Sequence, residues 1–308
     1  ERDIRLPRSL TDDVALQVEP TRRGWFRFQR QYDTARAVVD SEQAMRRLLH
    51  EAAEDDAAEG SGRLELQVDP TSYAPFVGGL TPAIEIVLDQ AARSERETGV
   101  SIGIVVAASR TRHPLDARTL ARLAARHAGR VIGFGLSNDE RRGTTADFGP
   151  AFRIAREAGL LAVPHGGELL GPSHVQDVVE HLGPHRLGHG VRAAEDPALL
   201  ERVVDAGIGL ELCPASNASL GVVERAADVP LRRLVDAGAE IALGADDPLL
   251  FGSRLVDQYA TARELGFTDV ELAALAVSSI RISAAPDEVK QRLLRGVRDW
   301  LAAPATTR

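Results

Sequence analysis

From about residue 60 onward, short apolar runs alternate with longer stretches in which apolar residues recur at helical spacing. The runs fall at 63–68, 101–107, 131–136, 160–164, 186–188, 208–213 and 240–244. They are short and mostly apolar, as strands covered on the outside by helices should be. The stretches between them carry helix punctuation. Asp196-Pro197 reads as an N-cap followed by proline in the first turn, with Gly207 closing that helix. Pro230 and Gly238, and one unit earlier Pro150 and Gly159, are expected to open and close helices in the same way. Residues 25–39 look helical, and apolar spacing over 41–58 and 82–97 predicts amphipathic helices, the first of these two capped by Ser41.

Alternating strands and helices imply a parallel sheet. No Ser/Gly linker or charge block divides the chain, so residues 1–308 are expected to form one domain. The expected fold class is α/β, a (β/α)8 barrel. Such a barrel has eight strands, and only seven runs are visible. Residues 1–40 offer no central strand, and residues 3–7 look like a loop. The simplest expectation is that strand one precedes Glu1. The chain also begins without methionine, its only one being Met45. An open seven-stranded sheet is the alternative, and it would leave a long unpaired edge.

In a parallel barrel the active site forms at the C-terminal ends of the strands. Three runs end in residues suited to chemistry there: His165-Gly166-Gly167-Glu168, Gly188-His189-Gly190 and Ala245-Asp246-Asp247-Pro248. Singly, each has a plain explanation: a hydrogen-bonded histidine, a solvated loop acid, an N-cap before proline. Together at one rim they point to metal-assisted attack of water on a small molecule. Glu168 lies three positions after His165, out of step with the two-residue period of a strand. Gly166 and Gly167 would let it fold back over whatever His165 binds. Gly188 and Gly190 would let the backbone approach a ligand. Adjacent carboxylates such as Asp246 and Asp247 repel each other, and a divalent cation removes that cost.

Composition narrows the partners. The chain is 44% hydrophobic and 27% charged, as a globular protein with a core should be. A net charge of −8, with arginines scattered among acids, disfavours nucleic acid as a partner but not a single nucleoside. One cysteine, Cys213, excludes an internal disulfide, and no apolar run could span a bilayer. With no signal-peptide core at the N-terminus, a cytoplasmic location is expected.

These motifs, with Leu136-Ser137-Asn138-Asp139-Glu140, Arg186-Leu187-Gly188-His189-Gly190 and Glu211-Leu212-Cys213-Pro214-Ala215-Ser216-Asn217, resemble the adenosine deaminase family of the amidohydrolase superfamily, in its order and spacing from about residue 60 onward. The resemblance implies an eight-stranded barrel with one zinc ion per chain, hydrolysing a 6-aminopurine nucleoside to the 6-oxo product and ammonia. It implies His165 and Asp246 as zinc ligands, His189 as the group that orients or deprotonates the water, and Glu168 as proton donor to the purine ring. Asp247, Asn138 and Gly167 would bind the substrate. Two departures stand out. The family's further two ligands, a His-x-His pair on strand one, have no counterpart in this chain. Asn138 also stands where the family usually has glycine. Alternatives to adenosine are free adenine, a modified adenosine, or a non-catalytic relative that has lost its metal.

Other residues carry weaker signals. His113 and His174 are expected in loops on the same rim. Cys213 reads as a core residue, and its being alone rules out a cysteine-ligated deaminase site. Trp25, Phe26 and Phe28 suit either core packing or a helix over the substrate.

Overall fold

The computed structural model describes residues 24–303. Seven strands form one sheet in sequential order, and every neighbouring pair is parallel. They are β1 (Arg63–Val68), β2 (Ser101–Ser109), β3 (Val131–Ser137), β4 (Leu161–Gly166), β5 (Arg186–His189), β6 (Gly209–Leu212) and β7 (Ile241–Leu243). The expected strands are all present, with shifted ends. His165 lies within β4 and His189 closes β5, rather than following their strands, while Asp246 falls beyond β7. The reading of residues 3–7 as a loop falls outside the described residues.

The sheet is curled, and side chains demonstrate it. Neighbouring strands stand about 4.8 Å apart, so in a flat sheet β1 and β5 would be separated by about 19 Å. Yet Arg186 at the start of β5 reaches Glu65 on β1, Nη1 to Oε2, at 2.7 Å. It also meets Glu211 on β6 at 3.0 Å. Two residues further along β1, Gln67 stands 3.3 Å from the ring of His165 on β4. Alternate residues of β1 therefore face a common interior. Among the described strands, β1 and β7 are the edges.

Helices cover the outer face. Phe134 of β3 meets Phe152 edge-on, with ring centroids 5.1 Å apart, and Leu120, Leu136, Leu187 and Leu210 fill the same buried layer. Ser41 caps its helix by accepting from Ala44 N–H, and Asp196 accepts from Ala198 and Leu199. Pro150 does not open a helix: it sits inside Thr145–Glu157. The earlier turn is kept because it buries Phe148, a gain of about 1.5–3 kcal/mol that matches the roughly 3 kcal/mol cost of an interior proline. His174 also departs from expectation, lying buried in the first turn of the helix Pro172–Leu182 rather than in a loop. No described helix is long and apolar enough to cross a membrane.

Arg186 is the hinge of this interior layer. Burial alone would raise the Glu65 carboxyl, but Arg186 and Arg63 more than offset that and hold it below its ordinary range. Replacing Arg186 with Met leaves the half-buried Glu211 without its partner and Glu65 with Arg63 alone, at an expected cost of about 3–5 kcal/mol near neutral pH. Wild-type Glu65 stabilises the fold fully above its unfolded value of about 4.3 and loses that contribution as pH falls through its lower folded value. Acid also neutralises the carboxylates that lose Arg186 in the variant. Urea denaturation should therefore show the gap between wild type and variant narrowing as pH is lowered.

Candidate active site

The carboxyl ends of β3 to β7 converge on one cavity of about 1710 Å³, which also runs down between β1 and β7. His165, Glu168, His189, Asp246, Asp247, Asn138 and Cys213 all line it. The two imidazoles meet edge to face, with ring centroids 5.0 Å apart. His189 Nε2 stands 3.4 Å from Glu168 Oε1 and 3.9 Å from Asp246 Oδ2. Ligand atoms of His165, Glu168 and His189 lie within 4.8 Å of one another, as do those of His189, Cys213 and Asp246. Cys213 was expected only as a core residue; its thiol is buried beside this constellation and pushed well up by burial first and by Asp246 next.

Backbone geometry explains the aim of these side chains. Asn138, His189 and Asp246 have φ of 78°, 67° and 60°, and they are the only non-glycine residues at positive φ among those described. Asn138 tolerates this because its Oδ1 accepts the N–H of Asp139 at 2.7 Å. It can thus occupy a backbone position that otherwise favours glycine.

The glycines act differently from expectation. Gly166 stays in β4, and only Gly167 turns, at φ 76°. A Cβ on Gly167 would meet Val175 Cγ2 at 2.5 Å, and Gly167 does not line the cavity. Gly188 lines the cavity and also makes room for a protein side chain, since a Cβ there would fall 2.4 Å from the His165 ring. Gly190 at φ 68° packs against Leu210.

Burial sets the charge states. It brings His189 and, with the neighbouring His189 ring, His165 down to about 4, so both imidazoles are neutral at neutral pH. Burial, then Glu140 and Asp246, hold Glu168 well above the carboxylate range. Asp246 is raised by burial, partly offset by a hydrogen bond with Ser216, and Asp247 by burial and by Asp246. His189 Nδ1 and Glu168 Oε2 are buried without a partner. Neutral imidazoles, carboxylates without a counter-charge and orphaned polar atoms at this spacing fit a divalent cation.

Other expectations divide. His113 caps the helix Pro114–Arg126, and neither it nor His174 lines the cavity. Trp25 and Phe28 unite both readings of the aromatic cluster: they are buried, yet they line the cavity on the helix Trp25–Ala37. Phe28 stacks on Phe251 at 5.1 Å, whereas Phe26 is exposed under Arg141. Three groups carried no signal that sequence reading used. Gln67 is a polar residue facing inward from β1. Tyr32 is half-buried and close enough to Asp247 to feel its charge. Glu140 is buried behind the turn bearing Glu168. Only Glu140 lies in a recognised motif.

Comparison with known proteins agrees with this geometry. The family model for adenosine deaminase matches residues 1–300. A Streptomyces coelicolor protein named as an adenosine/adenine deaminase is 59% identical over 307 residues, covering 97% of this chain and 90% of the relative. An adenine deaminase of Rhizobium leguminosarum bv. trifolii is 35% identical over 265 residues, 85% of this chain and 82% of its own. The crystal structure of an adenine deaminase from Arthrobacter aurescens superimposes with a TM-score of 0.83 at 31% identity, over 89% of this chain and 84% of that one. Fold, site and likeness together define a hydrolase acting on a C–N bond. The chain belongs to the adenosine deaminase family, whose reaction is hydrolytic deamination.

The packing of Gly188 against His165 yields a test. Gly188→Ala should leave a folded protein by circular dichroism but displace the His165 ring, lowering deaminase activity by about 100-fold, the loss that a misplacement of about 1 Å brings. Wild-type turnover in that variant would show that the ring's position is not critical.

Proposed function

We propose that this site removes the 6-amino group of adenosine, or of a close 6-aminopurine nucleoside, adding water to give the 6-oxo purine and ammonia. His165 and Asp246 would hold a zinc ion, which when bound supplies a water acidic enough to attack at neutral pH. In this reading the seven strands belong to an eight-stranded barrel, in whose family a His-x-His pair supplies two further zinc ligands.

The remaining work falls to this chain. His189, neutral and with an orphaned nitrogen, orients the attacking water and takes its proton. Glu168 gives a proton to the purine ring nitrogen, drawing electrons from the carbon under attack. Asp247, its carboxyl pushed up toward the protonated form, donates a hydrogen bond to the opposite side of the purine, while the backbone N–H at Asn138 fixes its plane. The observation that carries this reading is the Glu168 carboxyl: buried, pushed by that burial toward its protonated form, and 3.4 Å from His189. A carboxyl kept neutral at pH 7 can act as an acid there.

Free adenine is the second reading. It is favoured by the likeness to adenine deaminases at 35% and 31% identity. Ammonia release by the full-length protein from adenosine and from adenine distinguishes the two. Glu168→Gln is expected to lower kcat by about 10²–10⁴-fold on the true substrate. Removal of bound metal with a chelator should abolish turnover, and zinc should restore it. Release from adenine alone would replace the nucleoside reading, and no release from either would end both.

A further inference from the structure

The turn that carries Glu168 is held from behind by a second carboxylate. Glu140 is 2% exposed. Its Oε1 accepts the backbone N–H of Glu168 at 3.1 Å, and its Oε2 accepts those of Leu169 and Leu170, each at 2.8 Å. Three successive backbone donors on one carboxylate form an anion nest, and hydrogen bonds to an ionised acceptor are about twice as strong as neutral ones. On the preceding side, Gly167 is pinned against Val175. Glu168 therefore starts from a backbone fixed at both ends.

The charge of Glu140 is balanced locally. Arg110, also 2% exposed, lies close enough to feel it. Its Nη2 donates to the carbonyl of His165 at 3.1 Å and its Nη1 to Thr145 Oγ1 at 3.3 Å. His174 Nδ1 is 3.6 Å from Glu140 Oε2. One buried cluster thus ties the end of β4, where His165 sits, to the turn where Glu168 sits. Neither Glu140 nor Arg110 lines the cavity, so neither can touch a substrate there.

We propose that Glu140 is a positioning residue for the deamination: its carboxylate clamps the backbone of residues 168–170 and so keeps the Glu168 carboxyl aimed at His189, with Arg110 as its counter-charge. The proposal rests on the reading of Glu168 as the proton donor. It makes Glu140 matter to turnover through one side chain only. A residue needed merely for folding would depress activity whatever stands at 168.

A double-mutant cycle on the full-length enzyme separates these roles, using Glu140→Gln, Glu168→Gln and the pair. The change at position 140 replaces one of the two accepting oxygens with an amide NH₂ that faces backbone donors. Since a misplacement of about 1 Å costs about 100-fold, E140Q alone is expected to lower kcat by about 10–100-fold, with KM changed less than about threefold. In the E168Q background the same substitution should change kcat less than about twofold, because no proton donor remains to be misplaced. Bound metal and thermal unfolding are measured on each variant, and metal content is expected at the wild-type level. An E140Q effect that multiplies unchanged in both backgrounds overturns the proposal, as does wild-type kcat in E140Q or loss of its metal. If E168Q itself turns over at the wild-type rate, the reading of Glu168 fails and the clamp's catalytic role fails with it. Should E140Q not fold, Glu140→Asp keeps the charge while shortening its reach, and the same cycle decides the question.

Discussion

A side chain on a parallel strand alternates between the inside and the outside of the sheet, and it keeps that alternation until the backbone breaks it. In this protein the breaks come at Asn138, His189 and Asp246, each held in left-handed backbone that disfavours any residue with a Cβ. That conformation costs about 1–2 kcal/mol per residue, and among the described non-glycine residues it occurs only where the chain meets the cavity. The packed strands and the helices behind them hold these residues in place, because relaxing any one would pull a buried strand end out of register. Strain at the carboxyl ends of a rigid sheet is what lets widely separated residues point at one another.

The interior carries two charged layers with opposite character. Below, Arg186 and Arg63 neutralise Glu65, and Arg186 also pairs with Glu211, so that layer serves the curl of the sheet. Above, Glu168 is buried and Asp246 and Asp247 face the cavity, with no cation among the described side chains paired to them. Their carboxyls are pushed up, while the two histidines are pushed down. The same kinds of residue thus stabilise the fold in one layer and remain available for chemistry in the next. The difference lies in whether an arginine reaches them.

Much of this was legible in the residues. The seven apolar runs, the caps at Ser41 and Asp196, and the placing of His165, His189 and Asp246 at strand ends all follow from local pattern. Local pattern misled where a distant contact outweighed it. Pro150 reads as a helix start, but burial of Phe148 one turn earlier extends the helix past it. Gly188 does line the cavity, but local pattern gave no sign that its missing side chain is also space for His165, a residue on a different strand. His174 looks like a loop histidine until the Glu140 cluster buries it.

Sequence by itself determined the elements, their parallel order and the chemical types at each strand end, because these depend on periodicity and on neighbours a few residues apart. Tertiary structure alone decided which carboxylate is paired and which is left without a counter-charge. It alone placed Gln67, Cys213 and Tyr32 beside the site and set Glu140 behind the turn bearing Glu168. Those outcomes depend on distances across the curled sheet, between residues tens to more than a hundred positions apart, and no local pattern encodes such a distance.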